Sequence, residues 1–234
     1  MSTIAIIPAR GGSKRVPKKN IRDFQGMPLI AWSIRAAQHC DMIEEVFVST
    51  DDKTIGDIAI SYGAKVLWRP DSLSSDESST FDVLKYIYYE QLLCNMDLMV
   101  VLQPTSPLRE KNLISNGIKT LLNTNTDRIM EINKLKLFTG KVFNGTWTGD
   151  YPEETRSQDL PTSCIPSGRL YVYKCSSTIE KNLPEGRETK VIEGSYERNI
   201  NIDYEDDFDK LEFIYSKYKD LYKHLLIPKK ENEN

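Results

Sequence analysis

Histidine is almost missing: His39 and His224 are the only two in 234 residues. That scarcity argues against a Ser-His-Asp apparatus and against a histidine metal cage. His39 closes a helical pattern and His224 sits in the last turn of the chain, so both read as structural. The four cysteines, Cys40, Cys94, Cys164 and Cys175, form no C-x-x-C pair, which removes the zinc-ribbon and redox motifs. No run approaches the ~20 apolar residues of a membrane span. The opening stretch Met1–Pro8 is too short for a signal peptide's apolar region and meets Arg10, Lys14 and Arg15 at once. Charge of one sign is missing too. A net charge of −3 disfavours a phosphate-tracking nucleic-acid surface and a polybasic membrane anchor. The expectation is a cytoplasmic protein that binds neither nucleic acid nor membrane. Its length suits a single domain, expected over 1–228, followed by a polar tail at 229–234.

What is present is an alternation of short apolar runs and helical stripes. Ile4–Ile7 ending at Pro8, Val46–Val48 ending at Ser49-Thr50, Lys65–Trp68, and Leu98–Leu102 read as strands. Their continuity suits strands buried on both faces, as in a parallel sheet. Between them Ile30, Ile34 and Ala37, then Ile55, Ile58, Ala59 and Tyr62, then Phe81, Leu84, Tyr88 and Leu92, then Leu113, Gly117, Ile118 and Leu121 recur at helical spacing. Asp51 or Asp52 is placed to cap the second helix and Gly63 to stop it. This order predicts an α/β fold with a doubly wound, mainly parallel sheet. From Leu135 to Lys174 the pattern changes. Val142–Trp147 reads as a hairpin turning on Asn144-Gly145, and Leu170–Lys174 as a further strand. A small β-rich insertion over 135–175 is therefore expected, of the kind that serves as a lid or dimer contact. A last helix is expected from Phe208, Leu211, Tyr215, Tyr218 and Tyr222.

Ligands of such sheets bind beyond the carboxyl ends of the strands. The segment after the first strand, Pro8-Ala9-Arg10-Gly11-Gly12-Ser13-Lys14-Arg15-Val16-Pro17-Lys18-Lys19-Asn20, stands out there. It packs two glycines, a hydroxyl and five cations into a short stretch. Glycines admit close backbone approach, and N–H groups with Arg and Lys neutralise phosphate. The spacing is neither G-x-x-x-x-G-K-[ST] nor G-x-G-x-x-G.

This loop closely resembles the signature of the acylneuraminate cytidylyltransferases, the CMP-sugar synthetases for sialic-acid-like sugars. The resemblance continues in order through Phe24–Ile30, Val48–Asp52, Arg69–Asp76, Leu102–Arg109, Gln158–Pro161 and Asn201–Asp203. The related CMP-Kdo synthetases carry Gln-Gly-Asp-Glu-Pro where this chain has Gln103-Pro104-Thr105-Ser106. The resemblance implies a Rossmann-like nucleotidyltransferase that joins CTP to a nine-carbon 2-keto sugar acid, with pyrophosphate leaving, Mg²⁺ as cofactor and a homodimer as the assembly. It implies that Arg10, Lys14, Lys19 and Asp203 carry the reaction. Ala9, Gly11, Gly12, Ser13, Asn20, Arg69, Ser79 and Thr80 would join Arg10, Lys14 and Lys19 in holding the nucleotide. Gln103, Thr105, Ser106, Gln158 and Arg169 would reach the sugar, and Asp203 with Asn201 the metal.

Two departures fall on the sugar and metal side. The family pattern has Asp-x-Asp where this chain has Asn201-Ile202-Asp203, and Arg-Pro-Asn-Gly where it has Ile165-Pro166-Ser167-Gly168. Ile165 cannot fork onto a carboxylate as arginine does. Arg169 or Arg156 is expected to take that role. A legionaminic or pseudaminic type of acid and N-acetylneuraminate stay open as substrates. So do another nucleotide or sugar, and a CTP-binding module with little turnover.

Overall fold

In the computed structural model, which describes residues 1–75, 77–91 and 93–229, the alternation is realised strand by strand. The chain runs β1 (Thr3–Pro8), β2 (Asp23–Phe24), β3 (Met27–Pro28), α1 (Leu29–Gln38), β4 (Glu45–Thr50), α2 (Lys53–Ser61), β5 (Lys65–Trp68), α3 (Thr80–Glu90), β6 (Leu98–Val101) and α4 (Leu113–Leu122). It continues through β7 (Arg128–Leu135), β8 (Gly140–Phe143), β9 (Thr146–Gly149), β10 (Ser163–Lys174), β11 (Thr189–Glu193) and α5 (Asp206–Tyr218). The central sheet has the order β11-β7-β10-β6-β1-β4-β5. Its neighbours are parallel except for β10, which runs antiparallel to both β6 and β7.

β1 shows why continuous apolar runs form the middle of the sheet. Ala5 and Ile7 join the core formed with α1, α2, α4 and α5, while Ile4 and Ile6 join the core formed with α3. All four are at most 1% exposed, and full burial of each isoleucine is worth roughly 1.5–3 kcal/mol. After β5 the chain returns to lay β6 on the other side of β1. The strand order reverses there, so a crevice opens beyond the carboxyl ends of β1 and β6. The loops leaving those ends are 9–20 and 102–109.

Local signals act as their chemistry requires. The Asp52 carboxylate accepts from Ile55 N at 3.0 Å to cap α2, and Gly63 takes φ +80° just past its end. Asn144 and Gly145 both have positive φ, 49° and 79°, as a two-residue hairpin turn between β8 and β9 demands.

The expected β-rich stretch over 135–175 divides in two. The β8–β9 hairpin stands apart as its own two-stranded sheet, but β10 lies inside the central sheet, with a bulge between Pro166 and Tyr171. Two strands of the seven-stranded sheet, β7 and β11, lack a legible apolar run. β7 carries Arg128, Glu131 and Asn133 at buried positions, and β11 is a largely exposed edge. The final helix ends at Tyr218, yet Tyr222 is still fully buried, carried by the 3₁₀ turns that follow. Leu92 of the third stripe, Asp76 of the Arg69–Asp76 segment and the tail residues 230–234 lie outside the described residues.

The packing of α4 on β10 yields a direct test. A Cβ on Gly117 would stand 2.5 Å from Leu170 Cδ2. Gly117→Val should overpack that contact by ~1–3 kcal/mol and lower Tm by roughly 2–12 °C. An unchanged melting curve would contradict the packing.

Candidate active site

The loop after β1 is held from beneath by short, specific contacts. Ala9 N donates to Ser49 O at 2.9 Å, Gly11 N to the Asp51 carboxylate at 3.0 Å, and Ser13 N to Gly11 O at 2.9 Å. Asn20, 6% exposed, donates its amide to Arg10 O at 3.0 Å, so it ties the far end of the loop to its start. Val16 is buried below. Gly11 lies against Asp52, whose Oδ2 would be 2.7 Å from any Cβ there, so a side chain at Gly11 would force the loop off the end of β4. Gly12 has open space above it.

Above this loop is a cavity of about 570 Å³. Arg10, Ser13, Lys14, Arg15, Lys19 and Asn20 form one side; Gln103, Pro104 and Thr105 come from the loop after β6; Arg69, Leu73, Ser75, Ser78, Thr80 and Val83 come from the segment before and into α3. Arg69 has its side chain buried and stands 3.8 Å from Asp51. Burial pulls its guanidinium below the ordinary value, and the Asp51 charge offsets part of that. Its buried Nε has no hydrogen-bond partner among the described residues.

Asp203 is the only acidic residue lining the cavity among the described residues. Its Oδ1 lies 3.6 Å from Lys19 Nζ and 3.9 Å from an Arg15 nitrogen, and Arg15 in turn stacks over the Tyr204 ring at 5.2 Å. Lys19 donates to Ile202 O, and Ile202 N donates to Thr105 O at 2.8 Å. The strip 202–203 is thus pinned between both loops. Burial lowers the Lys19 ammonium below the usual lysine range, with Asp203 pulling the other way. Asp207 anchors the strip from the start of α5, accepting from Asp203 N and Tyr204 N, both at 2.8 Å.

The residues expected on the sugar side separate. Gln103 and Thr105 line the cavity. Ser106 lies beneath it, fully buried, donating to Ser167 O at 3.1 Å with Asn201 Oδ1 at 3.5 Å. Asn201 turns its amide nitrogen to Asp203 at 3.0 Å. Ser79 caps α3, accepting from Asp82 N at 3.0 Å, while its neighbour Thr80 lines the cavity. Gln158 is exposed and outside the lining, its carbonyl taken by Lys136. Arg156 is exposed and paired with Asp159 at 2.5 Å.

Arg169 does not face the cavity. Its side chain is 2% exposed and spent on Glu131, on Leu108 O at 3.1 Å and on Glu110 at 2.8 Å. Burial alone would depress this guanidinium, but Glu131 and Glu110 more than reverse that and leave it above its ordinary value. Ser167 donates to the same Glu131 at 2.6 Å. The expected carboxylate fork at Arg169 is therefore corrected: freeing it would strand Glu131, 1% exposed, without its cation.

Several cavity residues had no assigned role in the sequence. Arg15 belonged to the basic loop but only the fold sets it beside Asp203. Ser75, Ser78 and Val83 are ordinary loop and helix residues until α3 brings them to the wall. No three His, Cys, Asp or Glu side chains among the described residues gather as a metal cage. The arrangement can accept a polyanion: cations and loop N–H groups on one wall, a hydroxyl- and arginine-bearing slot on the other, one carboxylate between them.

A family profile described as Cytidylyltransferase matches residues 4–145. The CMP-N,N'-diacetyllegionaminic acid synthase of Legionella pneumophila is 32% identical over 213 residues, which cover 87% of this chain and 91% of that protein. The pseudaminic acid cytidylyltransferase of Campylobacter jejuni is 32% identical over 192 residues, 78% of this chain and 83% of that one. A solved structure of CMP:2-keto-3-deoxy-manno-octonic acid synthetase complexed with CTP superposes with a TM-score of 0.71 at 17% identity, covering 93% of this chain and 99% of that chain. That last likeness is one of fold.

The cation-lined wall makes a quantitative prediction. Arg10→Ala and Lys14→Ala should each weaken nucleoside triphosphate binding about tenfold, the effect of losing one charge-assisted hydrogen bond. Calorimetric titration checks this; affinities within error of the parent would remove phosphate from that wall.

Proposed function

The chain belongs to the cytidylyltransferase family, and from that premise we propose that it activates a nonulosonic, sialic-acid-like sugar acid to its CMP-sugar. The carrying observation is the cavity in which Arg10, Lys14 and Lys19 of the first loop stand across from Asp203 on the 202–203 strip. Relatives aligned over most of this chain bear the names of CMP-legionaminic and pseudaminic acid enzymes, which supports the acceptor class.

In the proposed reaction the anomeric hydroxyl of the sugar acid attacks the α-phosphorus of CTP. A new phosphorus–oxygen bond forms as the hydroxyl gives up its proton to solvent, the bond to the β-phosphate bridging oxygen breaks, and pyrophosphate leaves. Such transfers call for positioning and charge stabilisation rather than a protein nucleophile. Arg10, Ser13 and Lys14 hold the phosphates from the loop after β1, with Lys14 nearest the departing charge. Arg69, Thr80 and the backbone near Ala9 hold the nucleoside. Gln103 and Thr105 form the wall the acceptor meets.

The donor set of this cavity fits Mg²⁺. Among the described residues it offers one hard carboxylate beside a phosphate-binding wall, matching the habit of Mg²⁺ to take one or two carboxylates, substrate phosphates and water. Asp203 would hold the ion, with Asn201 beside it, its amide nitrogen on Asp203 and its oxygen toward Ser106. When bound, Mg²⁺ supplies neutralisation of the phosphate charge. Lys19, which already reaches Ile202 O and Asp203, keeps the strip against the first loop.

The proposal extends to a homodimer built through the hairpin. Leu137, Phe138, Val142, Phe143 and Trp147 are 45–78% exposed around β8 and β9, an apolar surface that a second copy of the chain would cover. A cytoplasmic setting goes with a CTP-consuming reaction. No helix among the described residues is long and apolar enough to cross a membrane.

Pyrophosphate release tests the reading, with Mg²⁺ and each of CTP, ATP, GTP and UTP against N-acetylneuraminate, legionaminic and pseudaminic acids and Kdo. Release with CTP and a nine-carbon acid is expected. Preference for another nucleotide, turnover of Kdo alone, or CTP binding with silence across the panel would overturn it.

A further inference from the structure

Resting on the cytidylyl transfer proposed above, we infer that Arg109 is a positioning residue for that reaction, holding the Gln103–Thr105 wall and, through it, the strip that carries Asp203. Arg109 is fully buried, yet no carboxylate is paired with it among the described residues. Its guanidinium is spent on three oxygens from three parts of the fold. Nε donates to Arg169 O on β10 at 2.7 Å, Nη1 to Ser33 Oγ in α1 at 2.9 Å, and Nη2 to Gln103 O at 2.8 Å.

The contact with Gln103 leads to the site. Gln103 is the first cavity residue after β6, and its carbonyl also accepts from Ser106 N at 3.2 Å, closing the turn that presents Gln103, Pro104 and Thr105. Thr105 O then receives Ile202 N at 2.8 Å, and Ile202 O receives Lys19 Nζ. A path of hydrogen bonds and the short backbone segments between them therefore joins Arg109 to Lys19 and to the backbone beside Asp203. The residue touches none of the cavity itself, so its effect passes through Gln103. The neighbouring Arg169 is neutralised by Glu131 and Glu110. A buried cation with only carbonyl and hydroxyl partners would be replaced by an apolar side chain if packing were its sole purpose. A planar fork with fixed donor directions suits three separately placed acceptors in a way that a lysine point charge does not.

The test uses Arg109→Met and Arg109→Lys in the full chain, with kcat expressed per CTP-binding site counted by calorimetric titration. Loss of folded protein lowers the number of sites without changing kcat per site; a displaced wall lowers kcat per site. Arg109→Met should lower kcat per site about tenfold to a hundredfold, as small misplacements at a reacting centre do. Its metal-free CTP dissociation constant should stay within about twofold, because the nucleoside-side residues come from other segments. Arg109→Lys, which reaches one acceptor but not three, should recover only part of the loss. Should Arg109→Met fail to bind CTP at all, Arg109→Lys decides alone. Parent kcat per site in whichever variant folds overturns the inference. Absence of turnover in the parent protein instead overturns the proposed reaction, so the two failures are distinguishable.

Discussion

The cavity depends on one electrostatic constraint: several cations must stay gathered on one wall. Like charges a few ångströms apart repel, and the repulsion grows as water is excluded. Among the described residues, carboxylates answer it at opposite ends. Asp51 receives Gly11 N and faces Arg69, which fixes the loop after β1 against the end of β4. Asp203 faces Lys19 and Arg15 and fixes the same loop against the strip before α5. The doubly wound sheet matters to function because its reversal between β1 and β6 creates the crevice where these segments meet.

Two buried arginines beneath that crevice show how the same side chain is put to different uses. Arg169 is a fully compensated cation, locked by Glu131 and Glu110 between β10, β7 and the loop after β6. Burial and the nearby Arg169 charge push the Arg109 guanidinium down to about 9, which still leaves it charged at neutral pH. Glu131 and Glu110 temper that effect. One ties the sheet together; the other holds the wall of the site. Neither lines the cavity, although one of them has the residue type and sequence neighbourhood of a carboxylate-binding arginine.

Much of the fold was legible in the sequence because its central strands are uniformly apolar. Ile4–Ile7 and Leu98–Leu102 admit no reading but burial on both faces, and Asp52, Gly63 and Asn144-Gly145 mark boundaries by local chemistry alone. β7 was not legible, since its buried charges read as surface residues until Glu131 meets Arg169 and Ser167 across β10. On the nucleotide side, composition localised the first loop and the family resemblance singled out its residues, and Arg10, Ser13, Lys14, Lys19, Arg69 and Thr80 line one cavity. The acceptor side was less accessible. Whether Arg169, Gln158 or Arg156 faces a ligand depends on long-range pairing with Glu131, on the Lys136 contact and on Asp159, and no local pattern encodes the first two.

The central claim is that the loop cations and Asp203 together receive a metal-bound nucleoside triphosphate. Calorimetric titration of CTP with and without Mg²⁺, on the parent protein and on Asp203→Asn, tests it most directly. The account predicts that Mg²⁺ strengthens CTP binding about fivefold or more in the parent and that this gain disappears in Asp203→Asn, while metal-free CTP binding persists. An undiminished Mg²⁺ gain in Asp203→Asn would contradict it.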